Sequence, residues 1–180
     1  MLILTKIQKQ YGKNAVLREI NLQAANGSCV GILGGNGGGK TTLLSILGGI
    51  LRPDGGSFTY DGEELFGHEA RRRALVGFSP QANPLMEELS GFDNLLLWHD
   101  RKAIERGMAE DGTITALGVT AFLKKPVAKL SGGMKKRLAL SIAVLRAPKI
   151  LLLDEPTAAL DMEGKAKFYA YLKRFTEGGG

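Results

Sequence analysis

Apolar and polar side chains alternate at the start of the chain. Leu2 and Leu4 lie in one run and Val16, Ile20 and Leu22 in a second, with the turn-forming Tyr11-Gly12-Lys13-Asn14 between them. A period of two predicts strands over residues 1–10 and 16–22, forming an antiparallel layer. Residues 28–33 read differently: the run is continuously apolar between Asn26-Gly27 and Gly34, as in a strand buried on both faces. A glycine loop follows, and then Leu43, Leu44, Ile46 and Leu47 give helical spacing over residues 40–51, stopped by Pro53-Asp54-Gly55-Gly56. Further strands are predicted over residues 57–60, entering a tight turn at Asp61-Gly62, and over 75–79. Residues 80–127 turn mostly helical, with helices predicted over 94–106 and 114–123. Another follows over 133–146, marked by Leu138, Leu140, Ile142, Ala143 and Leu145 and stopped by Pro148. Ile150-Leu151-Leu152-Leu153 is a short buried strand ending in Asp154-Glu155-Pro156, and a last helix runs from after Asp161 to about residue 175.

Strand, glycine loop, helix, and later an apolar strand ending in acid imply an α/β fold with a helical insertion. At 180 residues the chain has the length of one domain. A composition 44% hydrophobic and 23% charged excludes intrinsic disorder. The net charge of +6 suits a polyanionic ligand, nucleic acid or an anionic membrane without choosing among them. Its densest parts, Arg71-Arg72-Arg73, Lys124-Lys125 and Lys135-Lys136-Arg137, are expected to be solvated faces. Cys29, the only cysteine, falls in an apolar run and is expected to be a buried small residue of a reducing compartment. One Cys and two His exclude a zinc site. The N-terminus lacks the pattern of a signal peptide, and no apolar stretch reaches the ~18 residues of a spanning helix, so a membrane role has to come through a partner.

Gly34-Gly35-Asn36-Gly37-Gly38-Gly39-Lys40-Thr41 fits the spacing of a phosphate loop, directly after a predicted strand and before a predicted helix. Glycines let successive backbone N–H groups curl around phosphates, and the following helix presents its positive N-terminus. Lys40 would neutralise phosphate charge, and Thr41, followed by Thr42, would bring a hydroxyl to Mg²⁺. A dinucleotide-binding reading fails because Lys40 falls where that pattern needs its third glycine. Asp154 and Glu155, at the carboxyl end of an apolar strand, supply the other half of the same chemistry: Asp154 to hold Mg²⁺ and Glu155 to polarise an attacking water.

Leu130-Ser131-Gly132-Gly133-Met134, just ahead of a helix and of the Asp154 strand, resembles the signature sequence of ABC ATPases. Met134 departs from the glutamine usual at its fifth position, whereas Ser131, Gly132 and Gly133 match. Other positions match in order: Tyr11 stands where the family places an aromatic against adenine, and Gln81 where it places a glutamine that reaches Mg²⁺ and the attacking water. Ala158-Ala159-Leu160-Asp161 resembles the loop that crosses the family's dimer interface. The resemblance spans essentially the whole chain and implies a phosphate-loop NTPase core with an antiparallel β layer (residues 1–80 and 135–180) and a helical subdomain (about 81–134). It implies an ATPase with ATP and Mg²⁺ as ligands, a second ATPase subunit as homo- or heterodimer, and separate transmembrane permease subunits at the cytoplasmic membrane face. No direct nucleic-acid partner is expected. The Met134-Lys135-Lys136-Arg137 variant is similar to that of bacterial efflux subunits and favours export.

One element of the family is absent. Its members continue into a strand that ends in a histidine near the γ-phosphate, and His68 and His99 both precede the signature. The resemblance places that strand between the Asp154 strand and the strand before the phosphate loop. The expectation is therefore a C-terminally incomplete domain with a gap in its sheet, of low stability or weak turnover. Two alternatives stay open: a regulatory fragment that binds nucleotide without efficient hydrolysis, and a non-transport ABC protein acting on nucleic acid or ribosomes.

Overall fold

A computed structural model describes all 180 residues. β1 (Leu2–Tyr11) and β2 (Asn14–Ala24) form the predicted antiparallel pair, with Leu4 opposite Leu22 and Ile7 opposite Ile20. β3 (Gly55–Tyr60) adds to the other edge of β1 with Phe58 against Leu4, and β4 (Glu63–Glu64) follows through the Asp61-Gly62 turn. The sheet order is β2-β1-β3-β4. Its inward side chains, Leu4, Ile7 and Phe58, are buried with α1 (Lys40–Leu47), which contributes Leu43, Leu44, Ile46 and Leu47. α2 (Glu69–Leu75) leads into β5 (Val76–Ser79). β5 pairs in parallel with β6 (Ile150–Leu153), from Val76 opposite Ile150 to Ser79 opposite Leu153.

The insertion is helical but more broken than its periodicity predicts. The run expected over 94–106 splits into α3 (Gly91–Leu96) and α4 (Arg101–Gly107). Asp100 interrupts it because its side chain accepts the Ala103 N–H at 2.7 Å and starts a new helix as its N-cap. The run expected over 114–123 is only α5 (Thr113–Ala116) and a separate 3₁₀ turn, Thr120–Phe122, with the break at Gly118. α6 (Gly132–Val144) and α7 (Met162–Glu177) match the predicted long helices. They share a second apolar cluster with the insertion: Leu95, Ile104, Leu117 and Phe122 pack with Leu138, Leu140, Phe168 and Tyr171.

Three expectations are corrected. Residues 28–33 form no strand: they make no ladder, and Val30 is 48% and Leu33 95% exposed. Between them and β6 lies a cavity of about 480 Å³, lined by Val30 and Ile32 on one side, by Ile150 and Leu152 on the other, and by Phe168 and Phe175 of α7. An extended segment needs a neighbouring edge for its N–H and C=O groups, and here the nearest edge stands across a gap. The expected burial of residues 28–33 as a strand is thus not met. Cys29 lines the same cavity and is exposed rather than buried. The basic clusters are not wholly solvated either. Arg72 and Lys136 are buried, and the Arg72 guanidinium packs on the backbone of Gly49.

Candidate functional site

The turn from β2 into residues 28–33 is held by a single distant anchor, in which Gly27 N–H donates to the carbonyl of Gly180 at 3.1 Å. From there the chain runs into the glycine loop. Gly34, Gly35, Asn36, Gly37 and Gly38 are exposed, and Gly39 is buried. Gly39 has to be glycine: it stands at φ 84°, and a Cβ there would meet Leu17 Cδ2 at 2.8 Å. That contact seats the start of α1 against β2. Gly39 caps the helix without a side-chain acceptor, so the N–H groups of Lys40, Thr41 and Thr42 are left free at its positive end. Lys40 folds back across the loop, donating from Nζ to the Gly34 carbonyl at 2.6 Å and to that of Gly35 at 2.9 Å. The loop is thereby held closed around its own lysine. A phosphate group would take over those donors.

β5 and β6 end side by side, and their parallel register brings Gln81 and Glu155 together across a long sequence separation. Gln81 Nε2 donates to Glu155 Oε2 at 3.1 Å. Asp154 N–H donates to the Ser79 carbonyl at 3.0 Å, which fixes the strand ends. Glu155 stands at φ 45°, a left-handed conformation that costs a non-glycine residue of order 1 kcal/mol. Its side chain is exposed, whereas Asp154 is 5% exposed and its Oδ2 is buried without a hydrogen-bond partner. A buried carboxylate oxygen without a donor fits a cation ligand. Thr41 and Gln81, the other expected Mg²⁺ ligands, carry a hydroxyl and an amide oxygen, hard donors of the kind Mg²⁺ takes, and neither lines the cavity that Asp154 lines. No cluster of three or more His, Cys, Asp or Glu side chains forms anywhere, so a cation here would rest on such mixed donors.

Lys40, Asp154 and Glu155 line the same cavity as β6. Gly34 to Gly39, Thr41, Thr42 and Gln81 do not, nor do Tyr11, Ser131, Gly132, Gly133 and Asp161. Tyr11 lies at the end of β1, 48% exposed, with Lys9 Nζ 5.6 Å from its ring centroid. Ser131 caps α6, accepting the Met134 N–H at 3.3 Å, and with Gly132 is exposed at the helix start. Against it packs the loop leading to α7. A Cβ on Gly133 would lie 2.8 Å from the Ala159 carbonyl, so only glycine admits that approach. Asp161 closes the loop as N-cap of α7, accepting the Gly164 N–H at 2.7 Å. The candidate residues therefore fall into two groups: the glycine loop with Gln81 and the two carboxylates at the ends of β5 and β6, and the signature residues packed against the loop that leads to α7, none of which lines the cavity.

One residue of the site was not legible as such. Lys136 is 3% exposed and donates from Nζ to the carbonyls of Pro80 at 3.0 Å and Asp154 at 3.3 Å. Burial draws its pKa below the ordinary lysine value, against the opposing pull of the Asp154 and Glu155 carboxylates. The available signal was its helical phase, since Leu140 and Val144, four and eight residues on, lie on the same buried face.

A family model described as "ABC transporter" matches residues 17–158. Among curated proteins, the linearmycin resistance ATP-binding protein LnrL of Bacillus subtilis is 30% identical over 99% of this chain and 58% of its own length. The sulfate/thiosulfate import ATP-binding protein CysA of Bacillus cereus is 37% identical over 93% of this chain and 49% of its own length. The chain thus spans about half the length of these relatives. Among solved structures, a dimeric ATP-binding cassette in a post-hydrolysis state with ADP and Pi superposes with a TM-score of 0.83 at 26% identity, over 99% of this chain and 84% of that one.

Proposed function

Because this chain belongs to the ABC transporter family, we propose that it binds and hydrolyses ATP as the energising domain of a transporter. The observation that carries the reading is that Lys40, Asp154 and Glu155 line one cavity, with Gln81 hydrogen-bonded to Glu155. In this reading the N–H groups from Gly35 to Thr42 and the Lys40 ammonium grip the β- and γ-phosphates, and Tyr11 packs on the adenine. Thr41, Gln81 and Asp154 hold Mg²⁺, which when bound offsets the charge of the two phosphates. Glu155, oriented by Gln81, takes a proton from a water whose oxygen attacks the γ-phosphorus. The bond to the bridging oxygen breaks, leaving ADP and phosphate.

The signature residues Ser131, Gly132 and Gly133 do not line the cavity that Lys40 lines, which supports a head-to-tail pair in which each signature completes the other copy's site. Asp161 and its loop would then lie at the interface. The division into a core (1–80 and 135–180) and a helical subdomain (about 81–134) is part of the same reading. No helix is long and apolar enough to cross a membrane, so separate permease subunits at the cytoplasmic membrane face would supply the transport path. The signature variant ending Met134-Lys135-Lys136-Arg137 favours export. One observation favours a second reading, nucleotide binding with little turnover: residues 28–33, which carry the loop, have no ladder.

ATP affinity and phosphate release of the wild type, Lys40→Ala and Glu155→Gln test these readings. Lys40→Ala is expected to lose most ATP affinity, and Glu155→Gln to keep it while turnover falls about 10²- to 10⁴-fold. Unchanged turnover in Glu155→Gln would overturn the assigned role of Glu155. ATP binding by a wild type without turnover would select the second reading.

A further inference from the structure

α6 begins at the signature cap Ser131, and Lys136 follows within about 8 Å of helix rise. Its neighbours are half-buried and turn elsewhere: Lys135 pairs with Glu87 at 2.6 Å, and the Arg137 guanidinium lies over Phe122, 5.3 Å from the ring centroid. Of the three, only Lys136 is fully buried, and no carboxylate lies within ion-pair distance of its ammonium. Its two acceptors are main-chain carbonyls, of Pro80 and of Asp154. Each belongs to the peptide group immediately ahead of a residue of the hydrogen-bonded pair, Gln81 in one case and Glu155 in the other. A buried ammonium is costly to desolvate, and the carboxylates of Asp154 and Glu155 act on it only from beyond ion-pair distance. Packing alone would be served by a methionine of similar length. What the amine adds is a fork between the ends of β5 and β6, mounted on the helix that carries the signature.

We propose that Lys136 is a positioning residue for ATP hydrolysis, holding the peptide groups before Gln81 and Glu155 in register and tying that pair to the signature end of α6. The proposal rests on the hydrolytic reading of the Gln81–Glu155 pair. It gives each chain a physical link between the surface offered to a second copy and the water-activating pair of its own site. A shift of α6 at Ser131 would move both carbonyl contacts together.

The test uses Lys136→Met, with Lys136→Arg as the variant that keeps donors, in the full chain. Lys136→Met is expected to lower kcat about tenfold or more with the KM for ATP within about twofold. Amide exchange should speed up in peptides covering 80–82 and 154–156 while exchange in β1 and β2 stays unchanged. Lys136→Arg is expected to restore most of both. An unchanged kcat, or a parallel loss of kcat and ATP affinity that Lys136→Arg does not reverse, would overturn the proposal. So would unaltered exchange at 80–82 and 154–156. The exchange readout needs no turnover, so it separates failure of this link from failure of the hydrolytic reading, which shows itself in wild type and Glu155→Gln.

Discussion

Residues 28–33 and β6 are two apolar runs of similar character, each leading into a loop that carries site residues, and they end in opposite states. β6 is laddered to β5 along one edge, with Ile150 at 8% and Leu152 at 7% exposure. Residues 28–33 have no ladder, and Leu33 is 95% exposed. The two runs face each other across the same cavity. Their difference shows that hydrophobicity makes a segment a candidate for a buried strand, whereas a hydrogen-bonding edge and a packed face decide whether it becomes one. β6 has both, because β5 is beside it and α6 packs on β5. Residues 28–33 have neither.

The largest expected consequence is kinetic. Amides of residues 29–33 should exchange with solvent about a hundredfold faster or more than those of β6 bonded to β5, measured by hydrogen–deuterium exchange. Equal protection would erase the distinction. A matched pair of substitutions sharpens it: Leu152→Ala should cost about 2–5 kcal/mol in urea unfolding. Leu33→Ala should stay within about 0.5 kcal/mol.

A smaller effect should follow pH and touch only the β6 side. His99 Nε2 donates to the Ile142 carbonyl of α6 at 2.9 Å, which leaves Nδ1 buried without a partner. Burial, with Arg146 adding to it, holds the His99 pKa below its ordinary 6.5, while the Ile142 bond and Asp100 pull the other way. The unfolded chain therefore binds the proton first, so stability is complete above pH 6.5 and declines as pH falls toward the lower folded pKa. Unfolding midpoints should fall below pH 6.5, with protection lost in α6 and β6 ahead of β1 and β2. His99→Gln should flatten that dependence.

The site was largely legible because its parts depend on local chemistry. The phosphate-loop reading needs glycines, a lysine and a following helix start, and α1 does start at Lys40 with Gly39 packed on Leu17. Asp154 and Glu155 were readable because a short apolar strand has to end in something polar at the sheet edge. Lys136 was hidden inside a basic run, where charge suggested solvent and only its phase on α6 suggested burial. Asp100, which splits the helix predicted over 94–106, was a cap signal that the apolar spacing masked.

By itself the sequence determined the antiparallel β layer, the short strand at Ile150–Leu153 and the long helices, and it marked the candidate residues. Each of these follows from side-chain period, capping or glycine content within a short span of chain. Tertiary structure alone decided that Gln81 meets Glu155, that Lys136 turns inward to Pro80 and Asp154, and that residues 28–33 stand unpaired beside a cavity. Those outcomes depend on which edges and faces lie next to one another, and no local pattern in the chain encodes that adjacency.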